Sequence, residues 1–233
     1  MTKLNPRIAL ALLLAGAIPF ALGGCRQSRS SQTPEVEAAG GSGVVHIEKM
    51  GGEIDVDSAP SGATLSTMGG DIHIASVASF AKVKTMGGNI SIDQANASID
   101  ATTMGGNITI DRANGPIKAT TMGGDVTVTL ANAPAGDGPT VHDIELTSNG
   151  GCIQLTVPKG FPMEIDVTLA YTKAAPRSYK IINDFGLNPS TSSDWDDSHG
   201  SPRKYIRAHG QVGNGANRVV IKTINSDVIL KQE

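Results

Sequence analysis

The tripeptide Met-Gly-Gly recurs at a constant spacing of 18 residues, beginning at Met50, Met68, Met86, Met104 and Met122. After each copy, one acidic or amide residue is followed by apolar–polar alternation, as in residues 89–92 (Asn-Ile-Ser-Ile). Such alternation predicts a short strand with one buried face. A fixed period without insertions predicts stacked, near-identical units rather than a chain folded back on itself.

Each 18-residue unit also contains a second alternating segment, such as residues 81–85 (Ala-Lys-Val-Lys-Thr). Neither segment could bury its apolar face alone, so successive units must stack on one another. We therefore predict an all-β fold, a β-solenoid (β-helix-like) with 18-residue coils that rises about 4.8 Å per coil, the spacing of hydrogen-bonded strands. The Gly-Gly pair is expected at a bend, where a positive φ or a close backbone approach excludes side chains.

The strict period ends after Leu130, but alternation resumes at residue 143 and continues towards the C terminus. Residues 223–230 match residues 121–128 position by position. We predict that the second half continues the same solenoid with irregular, longer coils, because terminal coils must close an edge that would otherwise aggregate. The solenoid domain is thus expected to span residues 44–233.

The first 24 residues have the pattern of a secretory signal: Lys3 and Arg7 precede an uncharged run, and small residues lead to Cys25. The Leu-Gly-Gly-Cys sequence resembles a bacterial lipobox, which implies cleavage before Cys25 and lipidation of its side chain. An ordinary signal peptide that ends near a Cys is the alternative. Residues 25–43, rich in Ser, Gly, Ala and Glu, predict a lipid-anchored flexible linker. The expected location is the bacterial cell envelope, and Arg26 favours the outer membrane, on its periplasmic or surface face.

Charge limits the partners. Removing residues 1–24 takes away Lys3 and Arg7, which lowers the 19 Lys+Arg to 17 against 22 Asp+Glu, a net charge of −5. Nucleic acid is not expected as a partner, since phosphate binding needs a clustered basic face. We expect contact with the membrane through the N-terminal lipid, together with a glycan, peptidoglycan or protein partner.

A family resemblance rests on four features: the signal, the Gly-Gly-[Asp/Asn]-Ile-x-Ile units, Val157-Pro158 after a strand, and the closing segment 219–228. Together they make residues 44–233 similar to a bacterial, adhesin-labelled family of β-strand-repeat domains whose function is unknown. The resemblance implies a β-strand-repeat fold and a role in adhesion. It brings no catalytic motif with it.

The sequence contains no nucleophile elbow, phosphate-binding loop, zinc-protease motif or Cys-x-x-Cys, and its five His are scattered. A glycosidase would need paired carboxylates on one face, and the outward positions of the strict repeats contain no such cluster. We therefore predict a non-enzymatic binding scaffold without a cofactor. The alternatives are an envelope sensor or assembly factor that binds a regulatory protein and, less favoured, a carbohydrate-active β-helix enzyme.

The residues at one position of the repeat, taken over its five copies, are here called a column. Two columns contain side chains that could bind a metal ion. The methionine column is interpreted as flexible packing that fills the corner beside Gly-Gly, with a thioether site for Cu(I) as the alternative. A second column is interpreted as caps for exposed turn backbone, because calcium-binding repeats need a further Gly-x-Asp that is missing. No metal site is predicted. The second column consists of Glu53, Asp71, Asn89, Asn107 and Asp125.

The candidate binding surface consists of outward positions in the second segment of each repeat. We predict that they form a flat polar surface without a concave pocket, which suits a long polar ligand. Trp195, in the Ser-, Pro- and Gly-rich segment 183–202, is expected to add an aromatic platform for a sugar ring or to cover a solenoid edge. Cys152 is expected to be a small buried thiol. The two predicted rows are Thr64, Lys82, Asp100 and Lys118, and Ser66, Lys84, Thr102 and Thr120.

Overall fold

The computed structural model describes residues 43–131, 143–175, 178–198 and 200–233. The predicted signal peptide, the lipidation site Cys25 and nearly all of the predicted linker lie outside these ranges, and they stay predictions. Every helix or strand assigned within the described ranges is a β strand. The strands are β1 (Val45–Lys49), β2 (Ile54–Ala59), β3 (Ala63–Thr67), β4 (Ile72–Val77), β5 (Ala81–Thr85), β6 (Ile90–Ala95), β7 (Ile99–Thr103), β8 (Ile108–Ala113), β9 (Ile117–Thr121), β10 (Val126–Leu130), β11 (Ile144–Ser148), β12 (Ile153–Val157), β13 (Met163–Thr172), β14 (Ile181–Asn183), β15 (Ser190–Thr191), β16 (Arg203–Val212), β17 (Asn217–Ile224) and β18 (Val228–Gln232).

Successive strands of the repeats alternate between two sheets. Sheet A has ten strands in the order β1-β3-β5-β7-β9-β11-β17-β13-β16-β15, and sheet B has eight in the order β14-β18-β12-β10-β8-β6-β4-β2. Neighbours within the strict repeats are parallel and in register at the 18-residue period, so that Ile72 pairs with Ile90 and Ile90 with Ile108. The all-β prediction is confirmed, and long parallel sheets of short strands are consistent with a β-helix or solenoid-like fold.

One hydrophobic core takes side chains from both sheets. Sheet B supplies branched residues such as Ile90 and Ile92, and sheet A supplies smaller ones such as Val83 and Ala101. All four are at most 2 % exposed, so the predicted inward positions are confirmed. Burying an isoleucine side chain contributes roughly 1.5–3 kcal/mol. Repetition of the same apolar positions along the stack therefore provides the main stabilisation of these short strands.

The two glycines of each Met-Gly-Gly have different constraints. A Cβ on Gly88 would collide with the carbonyl oxygen of Gly70 in the preceding repeat, so only glycine fits at this second position. A Cβ on Gly87 would meet only an ordinary contact, 4.0 Å from the carbonyl oxygen of Met68. The close approach of the backbones of neighbouring repeats thus explains why the second residue of the pair is glycine. A positive φ does not explain the pair, since among the described Met-Gly-Gly units it occurs only at Gly52.

The strands of the C-terminal half do not stack in the order in which they occur along the chain. In space, β11 and β12 are followed by β17 and β18, so residues 158–216 are bypassed. The predicted match of 223–230 to 121–128 is confirmed by this stacking. The irregularity predicted for this half lies in the bypassed residues, where β13 packs parallel to β17 and β16 runs antiparallel to β13. The antiparallel strand and the short β15 occupy the end of sheet A, which limits the exposed edge there. None of the described segments is a helix suited to crossing a membrane.

Candidate binding face

The outer face of sheet A is the side that points away from the core. Because its strands pair in register, each outward position forms a row that crosses the sheet from strand to strand. The first, here the charge row, contains His46, Thr64, Lys82, Asp100, Lys118, Glu145, Val220, Asp166 and His209. The second, here the hydroxyl row, contains Glu48, Ser66, Lys84, Thr102, Thr120, Thr147, Lys222, Thr168 and Arg207.

The structure brings the predicted strand residues together. Thr64, Lys82, Asp100 and Lys118 are consecutive neighbours in the charge row, and Lys84, Thr102 and Thr120 are consecutive in the hydroxyl row. The lysines and the aspartate are exposed, whereas the threonines are half-buried between them. Both predicted rows are therefore continuous surface features.

Charges alternate along the central charge row. Lys82, Asp100, Lys118 and Glu145 succeed one another on β5, β7, β9 and β11. The Nζ of Lys118 lies 3.2 Å from the Oε2 of Glu145. Opposite charges on neighbouring strands stabilise a sheet by roughly 0.2–1 kcal/mol a pair. Their proximity also leaves this part of the face close to neutral overall, which favours a ligand with many dipoles over a polyanion.

The outer face contains a shallow depression between β11 and β17. Val220 occupies the outward position between Glu145 and Asp166, where most of the row carries longer, polar side chains. A cavity of about 270 Å³ opens there, slightly below the volumes usual for small-molecule sites. The depression lies beyond the rows of β3 to β9 for which a flat surface is predicted. The cavity is lined by Asp143, Ile144, Glu145, Arg218, Val220 and Lys222.

Trp195 does not join the predicted surface. Its ring packs edge-on against Tyr171 at a centroid distance of 5.8 Å, with the Nζ of Lys204 5.3 Å from its ring centroid. Tyr171 and Lys204 pair in register on the same side of sheet A as the core residue Leu169. Trp195 therefore lies on the core side at the end of the sheet, 36 % exposed. This position agrees with the edge-covering interpretation and contradicts the platform on the outer face.

Tyr205 is the aromatic residue that the outer face does carry at this end, and sequence reasoning missed it. Its partner in register is Ala170, on the outward side of β13. The Tyr205 hydroxyl donates a 3.0 Å hydrogen bond to Asp196 Oδ2, and the Arg207 guanidinium lies 4.9 Å from the ring centroid. Desolvation, followed by the bond to Asp196, raises the pKa of Tyr205. The alternation of residues 203–212 was the available signal, since it puts Tyr205 and Arg207 on one side.

On sheet B, His73 connects three successive repeats. Its Nδ1 lies 2.9 Å from Asp55 Oδ1 in the preceding repeat, and its Nε2 lies 3.3 Å from the carboxylate of Asp93 in the following one. The hydrogen bond to Asp55 raises the pKa of His73, burial opposes it, and Asp93 adds to the increase. The His73 side chain thus bonds to the repeats on both sides of its own.

Four members of the acidic and amide column, Asp71, Asn89, Asn107 and Asp125, cap turns, as predicted. Asp71 Oδ1 accepts a 2.7 Å hydrogen bond from the backbone N–H of Asn89, and Asn89 Oδ1 accepts a 2.8 Å bond from the N–H of Asn107. Farther along, Asp125 Oδ1 accepts a 2.7 Å bond from the N–H of Cys152. Each side chain thus holds the next repeat in place. Cys152 itself is partly exposed, so the expectation of a buried thiol is wrong.

The methionine column is exposed. The exposed fraction is 84 % for Met50 and between 42 % (Met86) and 52 % (Met122) for the other members. The interpretation of these side chains as packing that fills the corner beside Gly-Gly therefore accounts for only part of their surface. Each methionine directly follows the last residue of a sheet A strand, at the border of the outer face.

No protein-family model, curated protein or solved structure matches the chain. The family resemblance therefore stays a prediction from the quoted motifs, and function must be argued from the chemistry of the surface.

Proposed function

We propose that the protein is a non-enzymatic scaffold of the cell envelope whose outer face binds a long polar polymer, a glycan or peptidoglycan strand. In this proposal each 18-residue repeat is one coil of a β-solenoid, and the strands beyond β12 are its irregular last coils. Lipid on Cys25 would hold the domain at the membrane through the linker. A role in adhesion, which the family resemblance implies, fits such a surface.

The observation that supports the proposal best is the unbroken register of the charge and hydroxyl rows from β3 to β11. Five strands spaced about 4.8 Å apart offer equivalent positions along roughly 19 Å. A polymer with repeating hydroxyls can make a similar weak contact at each step. Threonine hydroxyls both donate and accept hydrogen bonds, lysines donate and carboxylates accept, so both partners of a sugar hydroxyl are present.

The test is co-sedimentation of the lipid-free Cys25→Ser protein with peptidoglycan and with purified envelope glycans. We expect Lys82→Ala/Lys84→Ala to weaken binding several-fold, because the two lysines are exposed donors, one in each row. The matched control, Arg112→Ala/Lys231→Ala, removes two exposed cations from sheet B and should bind like the wild type. Trp195→Ala should also bind normally, since Trp195 lies on the core side of sheet A.

The outcomes separate the alternatives. Failure of the wild type to sediment with any polymer, combined with capture of one protein from envelope extracts, would favour the sensor or assembly factor. Equal weakening by the sheet A and sheet B variants would move the binding surface away from the outer face.

A carbohydrate-active enzyme is the second candidate, and the depression is the observation in its favour. Asp143 and Glu145 both line it, beside Arg218 and Lys222, and two carboxylates in one cleft are the basic requirement of a glycosidase. Release of reducing ends from a bound glycan, lost in Glu145→Gln, would support this function. Binding without release would support the scaffold.

A further inference from the structure

The methionine column combines regularity with exposure. Each member follows a strand end whose residues pair in register with the next repeat, as Lys49 does with Thr67 and Thr67 with Thr85. The backbone of one methionine therefore stacks about 4.8 Å from the next. Five exposed methionine residues line up over four such steps, along the border of the outer face.

Packing gives no sufficient reason for the column. Within the described residues only Val44, Ile182 and Trp195 are large hydrophobic side chains with comparable exposure. Most of the exposed apolar side chains of this part of the chain are thus gathered into a single line. The two neighbouring rows of the outer face change from repeat to repeat, whereas this one is methionine in all five strict repeats.

Thioether sulfur is a soft, uncharged ligand that selects Cu(I) over the harder divalent ions. We propose that the methionine column binds Cu(I), with each ion bridging the Sδ atoms of adjacent repeats. With a metal–sulfur distance of about 2.3 Å, as in zinc–thiolate bonds, a linear S–Cu–S unit spans about 4.6 Å. This length matches the strand spacing of about 4.8 Å. The three rotatable bonds of methionine allow a third sulfur to approach.

The surroundings of the column are compatible with a cation. Glu53, Asp71 and Asp125 each come three residues after a methionine and are exposed. Their oxygens lower the electrostatic cost of bringing a positive ion to the turn. A hard divalent ion would bind those oxygens rather than the sulfurs. The identity of the ligand atoms therefore distinguishes Cu(I) bound by the column from a divalent ion that is attracted only by charge.

The experiment is an anaerobic titration of the full-length, lipid-free protein with Cu(I) in competition with a chromophoric Cu(I) chelator. A Cys25→Ser/Cys152→Ser background removes both thiols. We expect about two ions to bind per chain and Met68→Leu/Met86→Leu/Met104→Leu to lower the affinity at least tenfold. Leucine conserves side-chain volume, so circular dichroism should show an unchanged fold. The matched control is Met163→Leu, which alters a fully buried methionine outside the column and should bind like the wild type.

Ag(I), an air-stable soft ion, provides a second titration, and copper X-ray absorption identifies the ligands directly. Sulfur scattering that disappears in the triple leucine variant would support the proposal. Equal binding by the triple leucine variant, an oxygen- and nitrogen-only shell, or no competition with the chelator would each overturn it.

Discussion

The hydroxyl of Thr103 donates a 2.9 Å hydrogen bond to the carbonyl oxygen of Gly88 in the preceding repeat. The Thr103 hydroxyl oxygen in turn accepts a 3.2 Å hydrogen bond from the N–H of Gly106 in its own repeat. Thr85 and Thr121 make the equivalent pair of bonds. One buried side chain thus satisfies a carbonyl of one glycine turn and an N–H of the next, and a column of hydroxyls ties the turns together.

Thr103→Val should destabilise the protein by about 2–4 kcal/mol, because it leaves two buried polar groups, each worth roughly 1–3 kcal/mol, without their partner. Thr103→Ser should retain most of the stability, since it keeps the hydroxyl. The control is Thr102→Val, one residue away on the outer face, with an expected change within about 0.5 kcal/mol. Urea unfolding measures the stability of all three variants. If Thr103→Val were as stable as Thr102→Val, the buried threonine hydroxyls would not stabilise the turns.

The glycine pair gives a second prediction with a control at the adjacent position. Gly88→Ala puts a methyl group into the carbonyl oxygen of Gly70, which is backbone and cannot rotate away. We expect a loss above about 4 kcal/mol, in the exceptional range for single substitutions. Gly87→Ala has room for its Cβ and should change the free energy of unfolding by less than about 1 kcal/mol. Thermal unfolding of the two variants tests this prediction. Similar unfolding midpoints would contradict the close stacking of the turns.

A third prediction concerns the two faces of one strand. Ile90 is 1 % exposed and stacks between Ile72 and Ile108. Ile90→Asp should unfold the domain, because an unpaired carboxylate in the core costs several kcal/mol. Ser91→Asp should be nearly neutral, since Ser91 points outward and pairs in register with His73, which can accept a negative neighbour. Circular dichroism melts would show two equally stable proteins if the inward and outward assignments were wrong.

The parts of the fold that the sequence predicts are those in which one repeat determines the next. The inward position of Ile90 and the neighbour relation of Lys82 and Asp100 follow from an 18-residue period and an alternation of two, both of which are local properties. The second glycine of each turn and the caps at Asp71 and Asn89 follow from the same period.

The missed features depend on pairings between segments that share no period. β17 pairs with β11 across the whole of residues 149–216. The match of residues 223–230 to 121–128 indicates a unit of the same type, but it does not indicate the strand on which that unit stacks. The depression beside Val220 exists only because of that pairing. The sides of sheet A taken by Trp195 and Tyr205 likewise depend on the antiparallel register of β13 and β16, which alternation alone leaves undetermined.

The last prediction is a pH dependence centred on His73. Its hydrogen bond to Asp55 raises the pKa of the imidazole above the ordinary 6.5, with a further contribution from Asp93 and opposition from burial. Because the folded protein binds this proton more tightly than the unfolded chain, the stabilisation is fully present below pH 6.5. It is lost as the pH rises through the higher folded-state pKa. The side chain is 37 % exposed, so the effect should stay within the range of about 0.2–1 kcal/mol found for exposed ion pairs.

The measurement is urea unfolding of the wild type and of His73→Gln between pH 5.5 and 8.5. The stability advantage of the wild type should be largest at pH 5.5 and shrink towards pH 8.5. The same pair compared in an Asp55→Asn background should show a much flatter difference, because Asp55 is the main cause of the increased pKa. If this difference in stability changed equally with pH in the presence and absence of Asp55, the hydrogen bond between the neighbouring repeats would not be the cause of the increased pKa of His73. If the stability advantage of the wild type over His73→Gln instead increased with pH, the pH dependence would be opposite to that expected. This result would rule out the charged His73–Asp55 pair.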